Sequence, residues 1–356
     1  MKDLPQINDP VYVAREYNFI DRQFLKLIKD KRDLPFIYLV LKISLIVFPL
    51  AVLLYTSLLP GWAWWTLAVA YQVINFYFRA PFGLMMHCIS HRQLFKSRYK
   101  IFYRYIIWVM CPFMGHTPET YFSHHMGMHH AENNMPEDDS STMMYQRDSP
   151  KDFARYLIHF LVLGFKGLID YLFSRNKKRL AHNAIAGESA FFLFCIIMSF
   201  VNFAGTMAVF VVTFFISRMI MMVGNWTQHS FVDPADPSNP YKNSITTLNV
   251  LYNKRCWNDG YHTSHHARPA LHWTEHPINF IRNLDEYASQ RAVVFDRLDF
   301  GGVFLCLMTR NYEKLARHFV NINNTFRSDE EVIAMLKERT KKFSEEIIHN
   351  GQYEAA

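Results

Sequence analysis

Cysteine is scarce and scattered: Cys88, Cys111, Cys195, Cys256 and Cys306 are the only five, and no two of them form a CxxC pair. Such spacing argues against a disulfide framework and fits a compartment that keeps thiols reduced, facing cytosol or stroma. Charge is missing from two long stretches, residues 43–78 and 189–217. Uncharged apolar runs of that length exceed what a globular core helix presents, so they imply a bilayer. No short basic segment with a cleavage site accompanies the first run, which makes a signal peptide a poor reading. HExxH is absent, so a zinc hydrolase would lack its general base at the usual place. Paired Glu-x-x-His, the pattern of soluble di-iron bundles, is absent too.

What is present is strongly segregated. Half of the 356 residues are hydrophobic, with 31 Phe and 17 Met, and the net charge is +7. The basic residues flank the apolar runs, so anionic lipid headgroups rather than nucleic acid are the expected partner. The first run breaks at Pro60-Gly61 and predicts a helical hairpin, 35–59 then 62–81, with Trp62, Trp64 and Trp65 as an interfacial belt at the turn. The second breaks around Asn202–Gly205 and predicts 188–201 then 206–224, its first half short for a span. Lys and Arg crowd 22–32, 92–100 and 175–179 and are missing from both turns. By the positive-inside rule, both termini and the long loops share the cytosolic (or stromal) side. Residues 101–114 are too short to cross. Residues 153–173 carry His159, Lys166 and Asp170 and read as an interfacial helix. Ser328-Asp-Glu-Glu331 is a capping box that opens a charged helix to about His349.

Most of the 17 histidines fall into four groups. His87 and His91 lie at i and i+4, where two imidazoles share a helix face and bracket one metal. In His124-His125-Met-Gly-Met-His129-His130, the pair His125 and His129 repeats that spacing. Asn225 and His229 repeat it again, one turn beyond the last predicted span. His262, His265 and His266 combine i,i+3 with i,i+4. A lone HxxxH is more often a surface or core pair than a ligand set. Four such groups, each beside an apolar segment on one predicted side, are not explained by packing. Neutral imidazole suits iron, copper and zinc. Nine candidates (His87, His91, His125, His129, His130, His229, His262, His265 and His266) are too many for one ion and fit two. Bis-His haem would place its ligands within the spans, whereas these lie beyond them.

The order HxxxH, HxxxHH, NxxxH, HxxHH resembles the membrane fatty-acid desaturase superfamily, which includes alkane monooxygenases and fatty-acyl hydroxylases. The final HxxHH and the Asn225/His229 pair match acyl desaturases. The middle motif is one residue longer than the common desaturase HxxHH. With Gly115-His116 upstream and Pro136-Glu-Asp downstream, it is closer to the alkane monooxygenase pattern. The resemblance runs from about 80 to 275. It implies a cone of four membrane-crossing helices, a cytosolic cap holding two Fe ions, O2 as co-substrate, and a redox partner. The nine histidines are implied as iron ligands, and Asn225 as reaching one iron through water.

Ligating histidines usually give their other N–H to a carboxylate or carbonyl. Asp259, three residues before His262, is the leading candidate for that support, with Glu119, Glu188, Glu132 and Asp233 behind it; His124 is read as supporting or structural. For Glu188 the plain alternative is a helix-start carboxylate near the membrane surface. Arg218, charged within an apolar pattern, is expected to pair with a carboxylate rather than face lipid. His116, His272 and His276 read as satisfied polar residues, and the Phe and Met of the apolar runs as helix and lipid packing.

The reading is an all-α integral membrane protein with about four transmembrane helices in two hairpins, interfacial helices and a cytosolic helical cap. A cytosolic segment 1–34, a catalytic domain 35–280 and a cytosolic helical region 281–356 divide the chain. The expected function is a fatty-acid desaturase acting on an acyl lipid. No HPGG haem domain and no CxxC pair is present, so electrons are expected from a separate protein, ferredoxin-like or a b-type cytochrome. An alkane or fatty-acyl hydroxylase, a histidine-rich zinc enzyme and a non-enzymatic membrane metal-binding or transport protein stay open as alternatives.

Overall fold

A computed structural model describes residues 1–56 and 58–343. The described residues are mostly helical, with one short strand pair among them, and the chain divides into two compact units. One comprises residues 13–127 and 172–220; the other comprises 1–12, 128–171 and 221–356.

In the first unit the uncharged run folds as Leu34–Tyr55 and Gly61–His91. Pro60 caps the second helix from extended backbone, and the Trp64 indole donates to the Leu54 carbonyl at 2.8 Å, which closes the hairpin. The second helix does not stop near Pro81 as the sequence predicts. It continues for 31 residues to His91, roughly 46 Å at 1.5 Å per residue, against a hydrocarbon core of about 30 Å. His87 and His91 therefore occupy its last turns. The Lys178–Val201 helix begins ten residues before the predicted start, which gives 24 residues where the sequence left a short span. Asn202 caps the next helix by accepting from the Gly205 N–H. That helix runs through a π turn at Met207–Val211 and on to Gln228.

Among the described residues, four helices are long and apolar enough to cross a membrane by length and composition: Lys31–Tyr55, Pro150–Ser174, Lys178–Val201 and Phe203–Gln228. Pro150–Ser174 qualifies where the sequence suggested a surface helix. Its 25 residues are continuous, Ile158 and Val162 lie exposed, and Lys166 and Asp170 pair with each other one turn apart.

The loop after the first hairpin docks on the Lys178–Val201 helix at a point that only glycine permits. A Cβ on Gly187 would stand 1.8 Å from the Pro118 carbonyl oxygen. Ser123 donates to the Leu180 carbonyl at 3.1 Å, which seats the start of the HxxxHH segment on the same helix.

The second unit carries a parallel strand pair, Ile245–Leu248 with Val293–Asp296, in the register Ile245 to Val293. Phe231, Ile245, Val293, Phe295, Leu307 and Leu336 form part of one buried core. The helices of residues 300–339 thus share a core with the segment that carries His229. Ser328 caps Asp329–Arg339 by accepting from the Glu331 N–H, as the capping box predicts. The helix ends at Arg339 rather than near His349. Thr340 closes it, and residues 344–356 lie outside the described residues.

Candidate metal centre

Four histidines converge in the second unit. His129, His229, His262 and His266 each offer one ring nitrogen, and these nitrogens lie within 4.8 Å of one another. His262 and His266 are successive-turn neighbours on the short His262–Ala267 helix, with Nε2 atoms 3.0 Å apart. His229 follows the Phe203–Gln228 helix, and its Nε2 is 3.2 Å from that of His262. His129 ends a π turn, His125–His129.

The His129 and His229 rings are fixed from behind. The Asp138 carboxylate meets His129 Nδ1 at 2.7 Å. Its other oxygen accepts from the Ser140 N–H at 2.9 Å and hydroxyl at 2.7 Å. His229 Nδ1 donates to the Asn243 carbonyl at 2.9 Å. Asn243 in turn receives the Asn134 amide at 3.0 Å and donates to the Asn133 carbonyl at 2.6 Å. A ring that carries its proton on Nδ1 presents a lone pair at Nε2. His129 and His229 therefore turn Nε2 lone pairs toward the cluster, where a cation held by all four nitrogens would satisfy them at once. Burial drives the His229 pKa down to about 4, assisted by His129 beside it and opposed by Asn243 and Asp138. Burial also pushes His266 well below the ordinary range, with His262 and His229 adding to it. Both are neutral near pH 7, the form that ligates. An all-imidazole donor set fits iron, copper or zinc.

Of the other five histidines, His87, His91 and His125 belong to the first unit and His130 and His265 to the second. In the first unit His87, His91 and His125 converge, with ring centroids 4.5 Å (His87–His125), 5.1 Å (His91–His125) and 5.5 Å (His87–His91) apart. The Nε2 atoms of His91 and His125 are 3.0 Å apart, and the Tyr121 ring stacks on His125. In the second unit His130 and His265 face each other, Nε2 to Nε2, at 3.0 Å.

This sorting corrects one expectation. The i,i+4 spacing of His125 and His129 predicts a shared face and a shared ion. The structure puts His129 in the quartet and His125 beside His87 and His91, because the segment between them is a π turn that widens the local winding. His265 and His266, about 100° apart on a regular helix, separate as their adjacency requires.

Asn225 lies one turn before His229. Its amide gives both N–H bonds away, to the Ser140 carbonyl at 2.8 Å and the Tyr156 hydroxyl at 2.7 Å. Asp259 accepts from Gln228 at 2.9 Å and Tyr252 at 2.8 Å. Glu188 binds Arg218 at 2.9 Å and accepts from Thr117 at 2.5 Å, so Arg218 pairs with a carboxylate as its charge predicted. Glu119, at φ 64°, accepts from the Trp108 indole. His124 ends the Thr120–His124 helix. Glu132 receives the Tyr171 hydroxyl, and Asp233 pairs with Arg339 at 2.6 Å. His116 packs on Phe82, and burial with Arg79 and Arg218 nearby drives its pKa to about 4. His272 caps Trp273–Glu275, and His276 meets the Ser264 hydroxyl at 2.9 Å.

Asp138, Ser140, Asn243 and Tyr156 are the residues that sequence reasoning passed over. Asp138 stood in view as the last residue of Pro136-Glu-Asp. It lies nine residues after the histidine it holds, a separation that no helix-phase argument reaches.

A family model described as fatty acid desaturase matches residues 61–297. No curated protein matches the chain, and no solved structure does.

Proposed function

Since the chain belongs to the fatty acid desaturase family, we propose that it is an O2-dependent membrane oxidoreductase that inserts a double bond into an acyl chain. The net reaction is –CH2–CH2– + O2 + 2 e− + 2 H+ → –CH=CH– + 2 H2O. The observation that carries the reading is the histidine quartet with its anchored rings. Desaturation of an unactivated methylene pair needs a metal, and this is where the chain presents donors for one.

Two iron ions are the proposed cofactors. The quartet of His129, His229, His262 and His266 holds one. The sequence order assigns the second to the remaining histidines, of which His87, His91 and His125 already converge. Iron bound there supplies the reductive activation of O2. The protein's own residues do the rest. Asp138 and the Asn243 carbonyl fix the His129 and His229 rings and keep their Nε2 lone pairs available. Burial of His229 and His266 keeps those rings unprotonated at working pH. Four apolar helices make a substrate that arrives from the bilayer natural. The proposed orientation puts both termini and the histidines on the cytosolic or stromal side, following the placement of Lys and Arg. Electrons come from a separate ferredoxin-like or b-type cytochrome donor that docks on the basic face.

Hydroxylation of an alkane or acyl chain is the second reading. It is favoured by HxxxHH with Pro136-Glu-Asp, the segment in which Asp138 holds His129. Comparing fatty-acid methyl esters and hydroxy acids from a host with and without this chain tests both. New unsaturated esters support desaturation, and new hydroxy acids support the second reading. Unchanged lipids in cells that contain iron-loaded protein overturn both.

A further inference from the structure

Asn225 is not simply near the quartet; its orientation is fixed. The carboxamide donates both of its N–H bonds, to the Ser140 carbonyl at 2.8 Å and the Tyr156 hydroxyl at 2.7 Å. Tyr156 closes the triangle by donating its own proton to the Ser140 carbonyl at 3.2 Å. The phenol is buried, at 1 % exposure, and its ring lies against Trp226 at 5.0 Å. In the reverse orientation of the amide, Oδ1 would face the Ser140 carbonyl oxygen, an acceptor against an acceptor. The flip is therefore disfavoured at Ser140, and Tyr156, whose proton is already given to the Ser140 carbonyl, presents an acceptor to the amide. What remains free on Asn225 is Oδ1, on the side chain one turn before His229 and on the same face of the winding. A carbonyl oxygen attracts a cation or accepts from a water bound to one, whereas an NH2 group would repel the same cation.

We propose that Tyr156 is a positioning residue: with the Ser140 carbonyl it clamps the Asn225 carboxamide so that oxygen, not nitrogen, faces the quartet. The same short loop serves both sides of the centre. Ser140 presents its N–H and hydroxyl to Asp138, which holds His129, and its carbonyl to Asn225. A ring ligand and an amide oxygen are thus set by one turn of backbone, and Tyr156 ties that turn to the Pro150–Ser174 helix. The inference rests on reading the quartet as a metal centre.

Co2+ loading of the purified full chain tests it without turnover. Co2+ affinity and ligand-field absorption are measured for wild type, Tyr156→Phe, Asn225→Ala and the double variant, with Tyr145→Phe as a control. Tyr145 is the neighbouring phenol, its ring 5.5 Å from that of Tyr156. The clamp predicts that Tyr156→Phe still binds Co2+, about fivefold more weakly, the weight of one hydrogen bond. Its absorption moves toward that of Asn225→Ala, the double variant coincides with Asn225→Ala, and Tyr145→Phe matches wild type. A wild-type spectrum in Tyr156→Phe or in Asn225→Ala overturns the clamp and leaves the centre standing. So does a double variant whose shift is the sum of the two singles. Wild type that takes up no Co2+ overturns the centre itself and the clamp with it. Where Tyr156→Phe does not accumulate, Asn225→Asp decides: a carboxylate cannot donate to Ser140, so its spectrum must also shift, and an unshifted one overturns the clamp.

Discussion

In the unit of residues 13–127 and 172–220, helix phase sets the histidines. His87 and His91 are one turn apart at the end of a 31-residue helix, and His125 opens a π turn seated on the Lys178–Val201 helix through its neighbour Ser123. In the other unit His262 and His266 also follow helix phase, but His129 and His229 are set by hydrogen bonds from loops. Asp138 and Ser140 hold His129, and Asn243 with Asn134 holds His229. Local winding fixes a ring to a face, while a loop network also fixes which nitrogen carries the proton. Loss of one loop hydrogen bond in the second unit should therefore weaken the quartet without unwinding a helix.

The largest effect sharpens the comparison at its centre. Changing His129, His265 or His266 to Ala should reduce product to the level of a host lacking the chain. Membrane insertion should stay intact, since none of the three lies in a helix long enough to span. Lipid analysis beside a membrane-fractionation blot checks this, and retained product in any of the three counts against the assignment. Next in size is the buried ion pair of the first unit. Glu188→Ala leaves the Arg218 guanidinium uncompensated among Phe214 and the helix interior. It should cost about 3–5 kcal/mol, read as a lowered thermal midpoint in detergent. Replacing both members with apolar residues of similar volume should recover most of that loss.

Asp138→Asn then probes the loop network. It keeps the shape but weakens the grip on His129 Nδ1, and loss of such a support typically costs about 10- to 100-fold in metal affinity. Metal titration of the variant checks it, and an affinity equal to wild type would remove Asp138 from the network. The pH dependence follows from the same unit. His229 titrates near 4 in the folded chain against an ordinary value of 6.5, so between those values the unfolded state binds more protons. Stability therefore rises with pH through that window and is lost as pH falls from about 6.5 toward 4. Metal-free protein followed by thermal unfolding across that range should show this slope, reduced in His229→Gln.

How much of this could be read from residue order depends on whether a local rule or a distant contact sets each residue. Helix phase is a local rule, so His87/His91, Asn225/His229 and His262/His266 were legible from spacing alone. The helix ends were less so. Nothing local told the Gly61–His91 helix to run past Pro81 or the Lys178–Val201 helix to start at Lys178. The π turn at His125–His129 also broke a pairing that regular winding predicts. Asp138 and Asn243 were beyond reach, because Asp138 is nine residues from its histidine and Asn243 is fourteen from its own. Loops bring such partners together only once tertiary packing is complete. Asp259 was favoured for its nearness to His262 in the chain, and it accepts from Gln228 and Tyr252.

The smallest effect tests whether a purely local device in the loop-built unit behaves as locally as its sequence suggests. Ser328 caps Asp329–Arg339 by accepting from the Glu331 N–H, and Glu331 reaches back to the Arg327 N–H at 2.9 Å. The chain's first amino group also meets Asp329 at 2.5 Å. Ser328→Ala should cost about 1 kcal/mol, because one helix-end N–H loses its acceptor while Glu331 keeps its own contact. A lowered thermal midpoint with unaltered metal affinity is the expected result. The helix does pack its Val332 and Leu336 into the core that also holds Phe231 and Ile245, elements close to His229 in the chain. A loss of metal affinity on capping alone would therefore mean that the quartet depends on that core as well as on its loops.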